Sequence, residues 1–179
     1  MKGDGSDGSR VVGGLRAADG FGVVRLEARF VADGDDVWSA LTDLRRLSLW
    51  LGDLEGDLRL GGDVRARFHA TGWEGTLHVE ACDRPGRLEV STTSPGEPTC
   101  VIEVTLAAEG DQTVVVVADR GLPLDHIAAY GAGDQVLVED LAAHVAGLGR
   151  RDARTRWQEL HPGYQMLAES LVPPGPDDA

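Results

Sequence analysis

Hydrophobic and polar residues alternate with period two through much of the first two thirds of the chain. Val24, Leu26, Ala28 and Phe30 interleave with Arg25, Glu27 and Arg29, the pattern of a half-buried strand. After Gly61-Gly62, Val64, Ala66, Phe68 and Ala70 fall on one face and Arg65, Arg67 and His69 on the other. Leu77, Val79 and Ala81 repeat the alternation against Thr76, His78 and Glu80. The turn residues Arg84-Pro85-Gly86 precede Leu88 and Val90, and Pro95-Gly96 precedes Ile102, Val104 and Leu106. Gly110-Asp111 is a hairpin signal leading into Val114 to Val117. Turns this tight predict antiparallel pairing.

Two departures from period two predict helices between and after the strands. Asp33, Asp35 and Asp36 supply helix-start acids ahead of Val37, Trp38 and Leu41, and Thr42-Asp43 opens a second short helix burying Leu44, Leu47 and Leu51. This pair is expected to form a helical lid. The longer pattern runs through Ile127, Gly131, Val138, Leu141, Ala142, Val145 and Leu148 at near-helical spacing. Asp125 is its expected cap, Gly147 or Gly149 its expected end, and its length about 33 Å. Gly131, Ala132 and Gly133 should let this helix approach the sheet closely. An antiparallel sheet closed by one long late helix is an α+β architecture.

The ends differ in composition. Residues 1–20 are rich in Gly and Asp and are expected to be a flexible tail, although Val11, Val12 and Leu15 would suit a short extra strand. Residues 21–149 form the expected domain. Residues 150–172 form a C-terminal docking segment, in which the charges of Arg150 to Arg156 favour a solvated linker. Residues 173–179 are expected to be disordered.

Charge narrows the partners. The chain has 179 residues and a formal net charge of −13, so nucleic acid and anionic membranes would be repelled. The apolar run Val114–Ala118 is far too short to span a bilayer, and residues 1–14 lack the apolar stretch of a signal peptide. Cys82 and Cys100 form no close pair and are read as reduced thiols of a cytoplasmic protein, a disulfide between them being the lesser alternative. The five histidines are scattered and do not make a metal site, and no phosphate loop, dinucleotide fingerprint or nucleophile elbow occurs. No metal and no cofactor are expected.

The run Val37-Trp38-Ser39-Ala40-Leu41-Thr42-Asp43, then Trp50-Leu51, then Gly56-Asp57-Leu58-Arg59-Leu60-Gly61-Gly62 resembles the START-like (SRPBCC) superfamily. Within it, the chain is most similar to the branch named for activators of heat-shock protein 90 ATPase. Gly72-Trp73-Glu74-Gly75, Arg120-Gly121-Leu122-Pro123 and the stretch from Gly133 to Glu139-Asp140-Leu141 extend the likeness over about residues 22–147. The resemblance implies a helix-grip (START-like, Bet v-like) fold, a curved antiparallel sheet around a long C-terminal helix with a cavity between them. Superfamily members bind lipids, polyketides or hormones, catalyse aromatic cyclisation, or act as cochaperones. The separate N-terminal domain of eukaryotic chaperone activators is not expected here, and Asp134 stands where the branch commonly has an aromatic or apolar residue. The segment Trp157 to Tyr164 resembles a tail of the branch that staples the C-terminus onto the domain or onto a second subunit.

Asp134 is the residue with most chemistry. Its spacing sets it among Ile127, Val138 and Leu141 on the face turned to the sheet, and the assigned inner sheet positions hold no Arg or Lys to pair with it. A carboxyl buried there would have a raised pKa and could act as an acid or base or anchor a polar ligand group. A hydrated carboxylate at the cavity mouth is the other reading. Trp38, Trp50, Phe68, Trp73 and Tyr130 are candidate cavity walls or, individually, core packing. These residues favour a non-enzymatic domain holding a small apolar or amphipathic ligand. The alternatives are a polyketide cyclase-like enzyme using Asp134, and an interaction module contacting a chaperone or a second copy of the chain.

Overall fold

The computed structural model describes residues 10–171. Eight strands form one antiparallel sheet in the order β1-β2-β8-β7-β6-β5-β4-β3. They are β1 (Val12–Ala18), β2 (Phe21–Phe30), β3 (Gly52–Gly56), β4 (Asp63–Phe68), β5 (Glu74–Asp83), β6 (Arg87–Thr93), β7 (Cys100–Glu109) and β8 (Gln112–Leu122). Helices α1 (Gly34–Thr42) and α2 (Leu44–Trp50) connect β2 to β3, and α3 (Ile127–Val145) and α4 (Ala153–Glu169) follow the sheet. This is the α+β helix-grip arrangement, with the sheet curved about α3.

The period-two pattern sets which face is buried. Val24, Leu26, Ala28 and Phe30 are each at most 2% exposed, while the intervening Arg25 and Arg29 face solvent. Each large aliphatic side chain buried in this way contributes about 1.5–3 kcal/mol. On the outer face Arg87 bridges Glu89 and Glu103, and Arg120 also reaches Glu89 at 2.8 Å. The inner alternation continues through Val64, Ala66 and Phe68, then Leu77 and Val79, then Leu88, Val90 and Thr92. A register shift between Val79 and Ala81 ends it on β5, leaving Ala81 only half-buried.

The ends of the domain depart from the sequence reading. The segment read as an N-terminal tail contributes β1, which pairs with β2 from Val12↔Glu27 to Ala18↔Phe21. It is the short extra strand that Val11, Val12 and Leu15 suggested, held by edge pairing despite its glycine-rich composition. The rest of that expected tail (residues 1–9) and the expected disordered tail at 173–179 lie outside the described residues.

The helices are locally well specified. Asp33 caps α1 by accepting from the Asp36 amide at 2.8 Å, and Asp43 caps α2 by accepting from the Arg45 amide at 2.8 Å. The helix α3 begins at Ile127 after a single 3-10 turn, so Asp125 lies in that turn rather than capping α3. Gly147, at φ 70°, ends α3 as the sequence implies: its amide donates to His144 O at 3.1 Å and the Leu148 amide to Ala143 O at 2.8 Å.

Three expectations about packing are corrected. The helices α1 and α2 do not cover a cavity mouth; Arg46 of α2 donates to His144 Nε2 at 3.2 Å, which places the pair beside the C-terminal end of α3. Gly131 makes room for α4, not the sheet, because a Cβ there would collide with the Tyr164 ring. Residues 153–169 are a helix packed along α3, and Arg156 is not solvated linker: it holds Glu139 through bonds of 2.7 and 2.8 Å. Buried Tyr164 locks this helix down, sitting over Gly13 of β1 and Gly131 of α3 while its hydroxyl donates to Gln135 Oε1 at 2.7 Å.

Candidate functional site

The helix α3 approaches β2 and β1 closely, and on its other side it stands away from the middle of the sheet. A pocket of about 680 Å³ occupies the gap. Its walls come from the β4–β5 turn, the β6–β7 turn, the N-terminal half of α3 and the first turns of α4. Phe68 and Trp73 form one aromatic corner, with ring centroids 5.0 Å apart. Tyr130 of α3 and Trp157 of α4 contribute further aromatic surface, and Trp157 is fixed by donating from Nε1 to Ala129 O at 3.2 Å. Glu97 and Arg154, both exposed, stand at the rim.

Two aspartates meet within this pocket. Asp134 comes from α3 and Asp119 from β8, and their carboxyls are in hydrogen-bond contact. The strand β8 turns Thr113, Val115 and Asp119 to the buried side, and register sets Asp119 beside Val24 of β2 and Ile102 of β7. Asp119 is 4% exposed. Asp134 is half-buried as a residue, but its Oδ2 is shielded from solvent, as is Oδ1 of Asp119. Neither of these oxygens has a conventional donor among the described residues. A proton held between the carboxyls would satisfy both, which is how two adjacent buried acids resolve their mutual repulsion.

The electrostatics follow from burial. Desolvation raises the Asp119 carboxyl to about 7, against the hydrogen bonds from Asp134 and from the Arg120 amide, which lower it. Desolvation, then the charge of Asp119 and the hydrogen bond to it, lifts Asp134 well above the usual carboxylate range. At neutral pH the pair therefore keeps at least one proton, and it titrates as a unit. Neighbouring acids feel the same environment. Burial, then Asp119, Asp134 and Glu97, pushes the Cys100 thiol up to about 11. Burial, then Glu97, Cys100 and the two aspartates, pushes the Tyr130 hydroxyl up to about 12. A pair of this kind can donate one hydrogen bond, accept others, or pass a proton to a bound group.

The structure brings together four of the six candidate residues: Phe68, Trp73, Tyr130 and Asp134 all line the pocket. Trp38 and Trp50 do not. Both are 4% exposed in the core, and the Trp50 indole donates to Ala40 O at 3.0 Å, fastening α2 to α1. Their helical stripes mark a buried face, and that face meets the core rather than the pocket. Asp119, Cys100 and Trp157 are site residues that the sequence reading did not place there. The signal for Asp119 was its parity with Thr113 and Val115, continued past the apolar run at Val114–Ala118. Among the described residues no group of His, Cys, Asp and Glu is placed to hold a metal ion, and no helix is long and apolar enough to cross a membrane.

Comparison with known proteins places this geometry in a family. CalU16 from Micromonospora echinospora is similar over 90% of this chain and 98% of its own, at 23% identity and a TM-score of 0.74. DynU16, a protein in the dynemicin biosynthetic locus, is 28% identical over 72% of this chain and 49% of its own, with a TM-score of 0.66. The Aha1 dimer from Colwellia psychrerythraea aligns with 69% of this chain and 95% of its own at 18% identity, with a TM-score of 0.61. No curated protein matches the chain. The model of the family described as Activator of Hsp90 ATPase homolog 1-like protein matches residues 32–146, a span that includes both aspartates but stops before α4. With well over half its length so matched, the chain belongs to the activator of Hsp90 ATPase homolog 1-like family.

Proposed function

We propose that the protein binds a small, mostly apolar molecule in the pocket between the sheet and α3, with one polar end of the ligand against Asp119 and Asp134. The observation that carries this reading is the pocket's composition: aromatic and aliphatic walls around a buried carboxyl pair that lacks a conventional donor. Apolar walls supply affinity by removing ligand surface from water, and a few buried polar groups fix orientation. A volume of about 680 Å³ suits a drug-sized ligand. The helix α4 adds Trp157 and Gln158 to the wall, so the segment outside the family match shapes what the pocket accepts.

Titration with the neutral dye Nile red tests the reading. Saturable one-to-one binding is expected, weakened in Trp73→Ala and in Trp157→Ala. An absence of saturable binding, or identical affinity in both variants, refutes it.

The carboxyl pair also favours a second reading, a cyclase-like acid–base enzyme. Asp119 is the second proton-handling group that Asp134 lacked in the sequence reading, and a pair sharing one proton can protonate a carbonyl at one end while accepting a proton at the other. Turnover of a poly-β-ketone analogue that disappears in Asp134→Asn would support catalysis; unchanged substrate would remove it.

A further inference from the structure

Resting on the binding reading above, the geometry points to a ligand whose polar end is a protonated amine, taken up in exchange for the proton held between Asp119 and Asp134.

Two adjacent carboxylates in a low-dielectric site cannot both ionise unless a cation joins them. Among the described residues, the groups facing the pair offer none. On β8 there is Asp119 itself, on α3 Asp134 and Tyr130, on β7 Cys100, on the β6–β7 turn Glu97, and from α4 the Tyr164 ring. All of these are neutral or acidic. The β4–β5 turn presents Phe68, Thr71 and Trp73 and no charged group. Among the described residues, the pocket's one cationic side chain is Arg154, exposed at the rim on the first turn of α4. Asp119 is buried to more than nine-tenths, and its Oδ1 lacks a conventional donor.

An ammonium group carries three N–H donors, enough to serve Asp119 Oδ1 and Asp134 Oδ2 together. Phe68, Trp73, Tyr130 and Trp157 line the way to the floor, and aromatic rings attract a cation. Glu97 at the rim and the chain's net charge of −13 favour approach of a cation over an anion. The exchange balances: the ligand enters as R–NH3⁺, the pair passes from one shared proton and one negative charge to two negative charges, and the displaced proton leaves to solvent. A neutral hydroxyl or carbonyl would leave that proton in place, and a carboxylate ligand would add a third negative charge. Amine selectivity is thus coupled to proton release.

The test uses a dansyl ring linked by five methylenes to a primary amine, its N-acetyl derivative, and the matched carboxylate, titrated by fluorescence into the full-length protein. The amine is expected to bind at least tenfold more tightly than the acetyl form, with the carboxylate weakest. Calorimetry at pH 7.5 in buffers of different ionisation enthalpy should show about one proton released per amine bound. In Asp119→Asn/Asp134→Asn the release should vanish and the amine lose its preference. Should the double variant not fold, the proton count and the amine-to-acetyl ratio of the unaltered protein decide alone. Equal binding of amine and acetyl forms, or amine binding without proton release, overturns the exchange while leaving the pocket as a binding site. Failure of all three probes together with Nile red overturns both.

Discussion

Replacing Asp119 by Asn removes one of two buried acids with little change of shape, and its effect on stability should depend on pH in a defined direction. The Asp119 carboxyl rises from an ordinary 3.8 to about 7 in the folded protein, chiefly through burial. A raised pKa means the native state binds more protons than the unfolded chain between those values, so stability is full below about pH 4 and falls as pH rises through 7. At about 1.4 kcal/mol per unit, a carboxyl raised in this way loses on the order of a few kcal/mol across that window. The amide introduced by Asp119→Asn cannot titrate, so the variant avoids this loss. It also removes the charge that repels Asp134. At pH 4 the variant should be equal to or less stable than the parent, by about 1 kcal/mol for the lost acid–acid hydrogen bond. By pH 8 it should be more stable by about 2 kcal/mol or more, a rise in Tm of about 4–8 °C for a domain of this size. Urea unfolding followed by tryptophan fluorescence at half-unit pH steps from 4 to 8.5, on protein shown by native mass spectrometry to be ligand-free, measures the difference directly. Charges elsewhere cancel between parent and variant. A difference that stays constant within about 0.5 kcal/mol across the range would refute the placement of Asp119 as a buried, proton-sharing acid.

Three other outcomes follow from the same geometry. Trp50→Phe takes the donor from Ala40 O and opens a void between α1 and α2, so it should cost about 2–4 kcal/mol in urea unfolding, yet leave Nile red affinity unchanged because Trp50 lies off the pocket. Tyr164→Phe breaks the 2.7 Å bond to Gln135 and should cost about 1–2 kcal/mol; a change below about 0.3 kcal/mol would show that α4 is not secured there. The Cys100 thiol, 6% exposed and raised to about 11, should be alkylated by iodoacetamide at pH 8 at least about a hundredfold more slowly in the folded protein than in urea, as peptide mapping would reveal.

Most of the sheet was legible because a half-buried strand writes its two environments into alternate residues. The four inner residues of β2 are each at most 2% exposed, and β4 through β6 follow suit. Where burial is not the organising force, the pattern is faint. The strand β1 contains Gly13 and Gly14 and turns through Asp19-Gly20, and β3 is five residues with glycine at each end. Both are edge strands stabilised by pairing with a neighbour, and pairing leaves little trace in composition. Trp38 and Trp50 show a related limit: a helical stripe states that a face is covered, but not by what.

The site was half legible. Asp134 stood out because a carboxyl on the buried face of a long helix breaks the expected pattern, and burial of that face is a property of the helix itself. Asp119 was legible only as the next inward position of β8. The residues that close the pocket, Trp157 and Gln158, lie on a helix whose few buried side chains, Tyr164 above all, give it a weak stripe. By itself the sequence determined the alternation of the strands, the span of α3 and its glycine stop, and the acid on its inner face. These are short-range matters of period, capping and hydrophobicity. Only the tertiary structure decided that α3 stands away from the middle of the sheet and that Asp119 meets Asp134. That meeting depends on the register of β8 between β2 and β7 and on the rotation of α3 over them, and no local preference of either segment encodes it.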